Sequence, residues 1–126
     1  MQNQANKTVL AVVEDLFFTV KIHEAAKRSG LRMQTVKSAV DALHGAESKP
    51  ALIVLDLNFA GVQPLELIQK LKSAPETRDI SLIGYLSHVQ GELKQKAQEA
   101  GCDMVLARSA FSQNLPQIFK RYGGEM

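Results

Sequence analysis

Three carboxylates stand where two apolar runs stop. Val9-Leu10-Ala11-Val12-Val13 ends abruptly at Glu14-Asp15, and Ala51-Leu52-Ile53-Val54-Leu55 ends at Asp56. If the runs are neighbouring buried strands, the acids meet at one end, repel each other and rise in pKa unless a cation is shared among them. A hard divalent ion is the economical answer. Mg²⁺ takes a few carboxylate oxygens and keeps places for water and a phosphate oxygen, which suits metal-assisted phosphoryl transfer. Asp56 is then the expected nucleophile, since a carboxylate can form an aspartyl phosphate. Taken singly, an acid at a strand end is more often a solvated loop start; the conjunction carries the reading.

The elements that must position these acids are legible as alternating strands and helices. Besides the two runs above, Met33 to Val36, Ile80 to Leu86 and Met104 to Ala107 read as strands, short and rich in apolar residues as in parallel sheets buried on both faces. Phe17 to Ser29 has helical spacing, with Val20, Ala25 and Ala26 as its apolar residues and Gly30 closing it. Ser38-Ala39-Val40-Asp41 resembles a capping box before a short helix bearing Val40 and Leu43. Pro64 suits a first helical position ahead of Leu65, Leu67, Ile68 and Leu71. Leu93, Ala97 and Ala100 share a face closed by Gly101. A last helix is expected from Ser112 to Tyr122, carrying Leu115, Ile118 and Phe119, with Gly123-Gly124 ending it. Strand alternating with helix predicts an α/β fold, a doubly wound five-stranded parallel sheet. Ligands in such folds sit at the carboxyl ends of the strands, where Glu14, Asp15 and Asp56 lie.

Composition narrows the function. The 126 residues are 45% hydrophobic and 22% charged, the mixture of one ordinary globular domain, and the formal net charge of +2 gives no ground for a nucleic-acid or membrane partner. Residues 1–7 are expected to be a disordered or extended tail, 8–122 the domain and 123–126 a C-terminal tail. One cysteine, Cys102, leaves no disulfide and no thiol-based zinc site, and it reads as a small buried filler. His23, His44 and His88 fall in separate units and form no metal site; of these only His88 is near the expected pocket. No leader or membrane span is evident, so a cytoplasmic protein is expected. Phe17 and Phe18 are adjacent; one facing solvent at the rim of the site would offer a partner contact, and partial burial is the expectation.

Over Thr8 to about Tyr122 the sequence resembles a response-regulator receiver domain of bacterial two-component signalling, of the chemotaxis-type single-domain kind. Val12-Val13-Glu14-Asp15 resembles that family's acidic pair, and Ile53-Val54-Leu55-Asp56-Leu57 its phosphoacceptor strand. The resemblance implies the flavodoxin-like fold with strand order 2-1-3-4-5, for which the family is a standard example. It implies phosphorylation at Asp56 and Mg²⁺ held by Glu14, Asp15, Asp56 and the Asn58 backbone carbonyl. Ser87 is the expected hydroxyl at the end of the fourth strand; an ungapped count puts Leu86 there instead. Arg108 stands where the family has a lysine. The family's following proline and aromatic are replaced by Ser109-Ala110-Phe111, and without proline a cis peptide there would cost about 3 kcal/mol, so a rebuilt segment before the last helix is expected. Met104, Val105 and Leu106 offer no counterpart to the family's switch aromatic.

The resemblance implies a stand-alone receiver, not an enzyme beyond self-catalysed phosphorylation and dephosphorylation. Its partners would be a sensor histidine kinase or histidine phosphotransfer protein and a downstream protein target. A homodimer would use the fourth helix, last strand and last helix. The alternative reading is a pseudo-receiver that keeps the fold and binds partners without phosphorylation. An aspartyl-phosphate hydrolase would need an acid where Asn58 stands, and a nucleotide site would need glycines where Glu14-Asp15-Leu16-Phe17 stands.

Overall fold

The computed structural model describes residues 6–87 and 90–123, so residues 1–5, 88–89 (His88 among them) and 124–126 lie outside the described residues. Five short apolar segments form the strands β1 (Thr8–Val12), β2 (Arg32–Val36), β3 (Leu52–Asp56), β4 (Ser81–Leu86) and β5 (Met104–Ala107). They pair in parallel in the order β2-β1-β3-β4-β5, as expected. Every residue of β3 is buried. Its side chains alternate: Leu52 and Val54 enter the core under α1 (Leu16–Arg28) and α5 (Arg108–Tyr122), while Ile53 and Leu55 enter the core under α2 (Ala39–Ala46), α3 (Pro64–Ser73) and α4 (Gly91–Ala100). Because β3 is central and dry on both faces, the acid at its end is held on a rigid platform.

Local chemistry sets the helix ends. Asp15 and Ser38 cap α1 and α2 with their side chains, Pro64 opens α3, and Gly30 and Gly101 take the left-handed backbone (φ +77° and +119°) that ends α1 and α4. Asn6 Nδ2 donates to the Ser48 carbonyl at 2.8 Å and the Lys7 carbonyl accepts from Arg32 N–H at 2.8 Å, so these two residues of the expected tail are tied to the body. Among the described residues no helix is long and apolar enough to cross a membrane.

Four expectations are corrected. The buried face of α1 is Phe18, Ile22 and Ala26, spaced at i, i+4 and i+8, whereas Val20, two positions from both Phe18 and Ile22 and so turned away, is 52% exposed. In α2 the buried residues are Ala42, Gly45 and Ala46, and Val40 faces out; a Cβ on Gly45 would lie 2.8 Å from Leu10 Cδ1, so a side chain there would have to displace the end of Leu10. β2 is an edge strand with Val36 its only buried residue, so full burial on both faces does not extend to it. Finally, α5 begins at Arg108, directly after β5, and not at Ser112. With no proline after Arg108, nothing pushes that residue out of helical backbone, and an early start buries Phe111 in the first turn. A proline instead sits inside the helix, at Pro116, where it removes one backbone donor.

Candidate functional site

Asp56 is the last residue of β3 and pairs in register with Tyr85 of β4. Its carboxyl is buried, and Oδ1 accepts from Asn58 N–H at 2.9 Å across the turn that follows the strand. Burial raises the Asp56 pKa above the ordinary carboxylate value. The backbone N–H groups of Asn58 and Glu14 pull it back down, the Glu14 charge pushes it up and Arg108 opposes that. The residue is therefore a desolvated carboxylate among opposing charges.

Asp15 lies across from it, in the turn between β1 and α1. One carboxylate oxygen accepts from Phe17 N–H at 2.8 Å and Phe18 N–H at 3.4 Å, capping α1, and the other pairs with the Arg108 guanidinium. The hydrogen bond from Arg108 holds the Asp15 carboxyl below its usual range. Glu14 is exposed, and the loop carrying it is tied down by Lys37, whose Nζ donates to the carbonyls of Val13 at 3.1 Å and Glu14 at 3.2 Å.

The strand ends beyond supply the remaining groups. Leu86 closes β4 with its side chain in the core, so the exposed hydroxyl at the strand end belongs to Ser87, not to the position of Leu86. Ser87 is engaged: its N–H and its Oγ both donate to Asn58 Oδ1, at 2.7 and 2.8 Å, and Asn58 Nδ2 donates to Gln90 Oε1 at 3.0 Å. Arg108 stands at the start of α5 with its guanidinium 4.5 Å above the Phe18 ring. Phe18, Ser87 and Arg108 line an open pocket of about 410 Å³ together with Phe17, Lys21, Ser109 and Ser112.

Arg108 answers the charge on Asp15 and offsets part of the charge around Asp56, where the push from Glu14 is the larger. Among the described residues no group of three or more His, Cys, Asp and Glu side chains is drawn together to hold a metal ion, because Asp15 turns to Arg108 and Glu14 turns to solvent. The donor set still fits a hard cation in kind, since the side chains of Glu14, Asp15 and Asp56 and the Asn58 carbonyl offer only oxygen.

Tyr85 was not among the residues singled out from sequence. It is 2% exposed, on the same sheet face as Asp56, with its ring stacked on Phe111 (centroids 5.4 Å apart, planes at 10°) and tilted against Phe18 at 4.8 Å. Burial, and then the neighbouring Asp56 charge, push its hydroxyl pKa up. The available signal was an aromatic two residues before Ser87 in an otherwise aliphatic strand.

This architecture, a five-stranded parallel sheet in the order 2-1-3-4-5 with acids at the ends of its two central neighbours β1 and β3, is the fold of response-regulator receiver domains, and the chain has that fold. No protein-family model matches the sequence. The chain is similar to the polar-differentiation response regulator DivK of Brucella anthropi, with 24% identity over 116 residues covering 90% of this chain and 94% of that protein. It superposes on the phosphorylated cyanobacterial phytochrome response regulator RcpA with a TM-score of 0.77 and 23% identity, covering 93% of this chain and 91% of the other. It also superposes on the Mn²⁺-bound form of the response regulator Rcp1 with a TM-score of 0.75 and 18% identity, covering 91% and 90%.

Proposed function

We propose that the protein is a cytoplasmic signalling receiver that accepts a phosphoryl group on Asp56 from a sensor histidine kinase or histidine phosphotransfer protein and signals through a protein contact. The observation that carries this is the buried Asp56 carboxylate at the end of the central strand, with Ser87 and Arg108 directly after the next two strands along the sheet. In the transfer an Asp56 oxygen bonds to phosphorus as the bond from phosphorus to the donor imidazole breaks, and the imidazole leaves with its electron pair. Ser87 and Arg108 would then meet the phosphoryl oxygens, after Ser87 leaves Asn58. Glu14, Asp15, Asp56 and the Asn58 carbonyl would hold Mg²⁺. Its role when bound is to neutralise charge on the transferring group. That RcpA is described as phosphorylated and Rcp1 as Mn²⁺-bound supports this reading. Beside the site α1 exposes Leu16, Phe17 and Val20, at 68%, 84% and 52%, an apolar surface available to the phosphodonor protein.

A second reading, a pseudo-receiver that binds partners without phosphorylation, is favoured by one observation: Arg108 is paired with Asp15. The two are separated by intact-protein mass after incubation with acetyl phosphate and Mg²⁺. One added phosphoryl group, absent from Asp56→Asn and from a chelator control, is expected. No adduct on folded protein, with a competent receiver modified in parallel, selects the pseudo-receiver.

A further inference from the structure

Both oxygens of Asp15 are committed. Oδ1 caps α1 and Oδ2 holds Arg108. The arginine has a second contact. It is the first residue of α5, and its guanidinium lies 4.5 Å from the centre of a Phe18 ring that is itself packed on Tyr85 and Phe111. The nearby ammonium of Lys37 goes to the carbonyls of Val13 and Glu14, so the charge on Asp15 is answered by Arg108.

We infer that Arg108 is an internal cation standing in for the divalent ion: pairing with Arg108 and ligation of a metal are alternative states of Asp15. The inference rests on the reading of Asp15 as a metal ligand. A divalent ion then enters only by displacing the guanidinium, and the displaced guanidinium becomes available to phosphoryl oxygens. Because binding linkage is reciprocal, whatever holds Arg108 on Asp15 weakens the metal, and the metal loosens Arg108 by the same factor. Arg108 begins α5, so the exchange also removes a tether between the start of that helix and the β1–α1 turn. A planar guanidinium lying over the Phe18 ring is a better competitor than a lysine, whose compact ammonium gains less from a ring face.

Two readouts test it on the full chain. In ¹⁵N-labelled wild-type protein, the Arg108 side-chain Nε–H resonance is followed through an Mg²⁺ titration beside Asp15→Asn. The expected result is a shift with Mg²⁺ toward the position seen in Asp15→Asn; a resonance that stays in place while the metal saturates its site overturns the inference. Mn²⁺ affinity is then measured by electron paramagnetic resonance in wild type and Arg108→Gln, with a thermal melt to show that the variant is folded. Tightening by about fivefold or more is expected, the lower end of ordinary coupling between linked sites. Equal or weaker affinity in folded Arg108→Gln overturns the inference and leaves the receiver reading standing. No binding in either protein overturns both the inference and the metal-assisted form of that reading.

Discussion

Two adjacent phenylalanines on α1 give a sharp test of how the site is supported. Phe18 is 5% exposed and its ring touches Tyr85, Phe111 and the Arg108 guanidinium, at 4.8, 6.0 and 4.5 Å between centres; Phe17 is 84% exposed. Phe18→Ala removes a buried ring, worth about 3–5 kcal/mol in a core, and the face beneath Arg108, worth about 0.5–1 kcal/mol more. Phe17→Ala falls within about 0.5 kcal/mol of wild type, the usual range at the surface. In urea, with a slope of about 1–3 kcal/mol per molar, a loss near 4 kcal/mol lowers the midpoint by ~2 M, while Phe17→Ala shifts it by a few tenths. The assay is urea unfolding followed by far-ultraviolet circular dichroism on the three proteins. Equal midpoint shifts, or a larger one for Phe17→Ala, would refute the reasoning that α1 anchors the site through Phe18.

Asn58→Ala removes the acceptor of both Ser87 bonds, and the Ser87 amide is expected to exchange about fivefold faster, since the one net hydrogen bond it makes is worth about 1 kcal/mol; unchanged protection in hydrogen-exchange NMR would contradict this. The Asp56 pKa is raised by burial in the folded state, so the ionised form opposes folding above that pKa and the penalty fades as pH falls toward the unfolded value of about 3.9. In chelator, Asp56→Asn is therefore expected to be more stable than wild type at pH 7, with a gap that narrows toward pH 4; urea midpoints at the two pH values decide it, and a gap that widens on acidification would be the wrong sign. Cys102 is buried, with its thiol pushed up to about 11, chiefly by that burial. It should resist iodoacetamide at pH 8 in the folded protein and react in urea, and alkylation at equal rates in both would place the thiol at the surface.

The site was legible in sequence to the extent that it is written in strand ends. The acids at 14, 15 and 56 interrupt apolar runs, and a run of that kind can only be buried, so its polar terminus marks the mouth of the sheet. Ser87 and Leu86 could not be separated by counting; in the structure Leu86 is the last strand residue and lies in the core, and Ser87 is the exposed residue that follows. What sequence did not show depends on tertiary choices. The pairing of Asp15 with Arg108 joins residues 93 positions apart and follows from α5 starting four residues before its expected first residue. The Phe18, Tyr85 and Phe111 cluster is assembled from α1, β4 and α5, and no local pattern announces it. The outward turn of Val20 and Val40 came from the same source: apolar character marks a residue as buriable, but the phase of the helix decides which one is buried.

The central claim is that Asp56 is the residue that takes the phosphoryl group. Its most direct test is to treat the protein with acetyl phosphate and Mg²⁺, reduce the acyl phosphate with borohydride and locate the product by peptide mass spectrometry. The account predicts reduction to homoserine at position 56 alone, dependent on both the phosphodonor and the divalent ion. Labelling at another residue, or none in a folded sample while a competent receiver is labelled beside it, would contradict it.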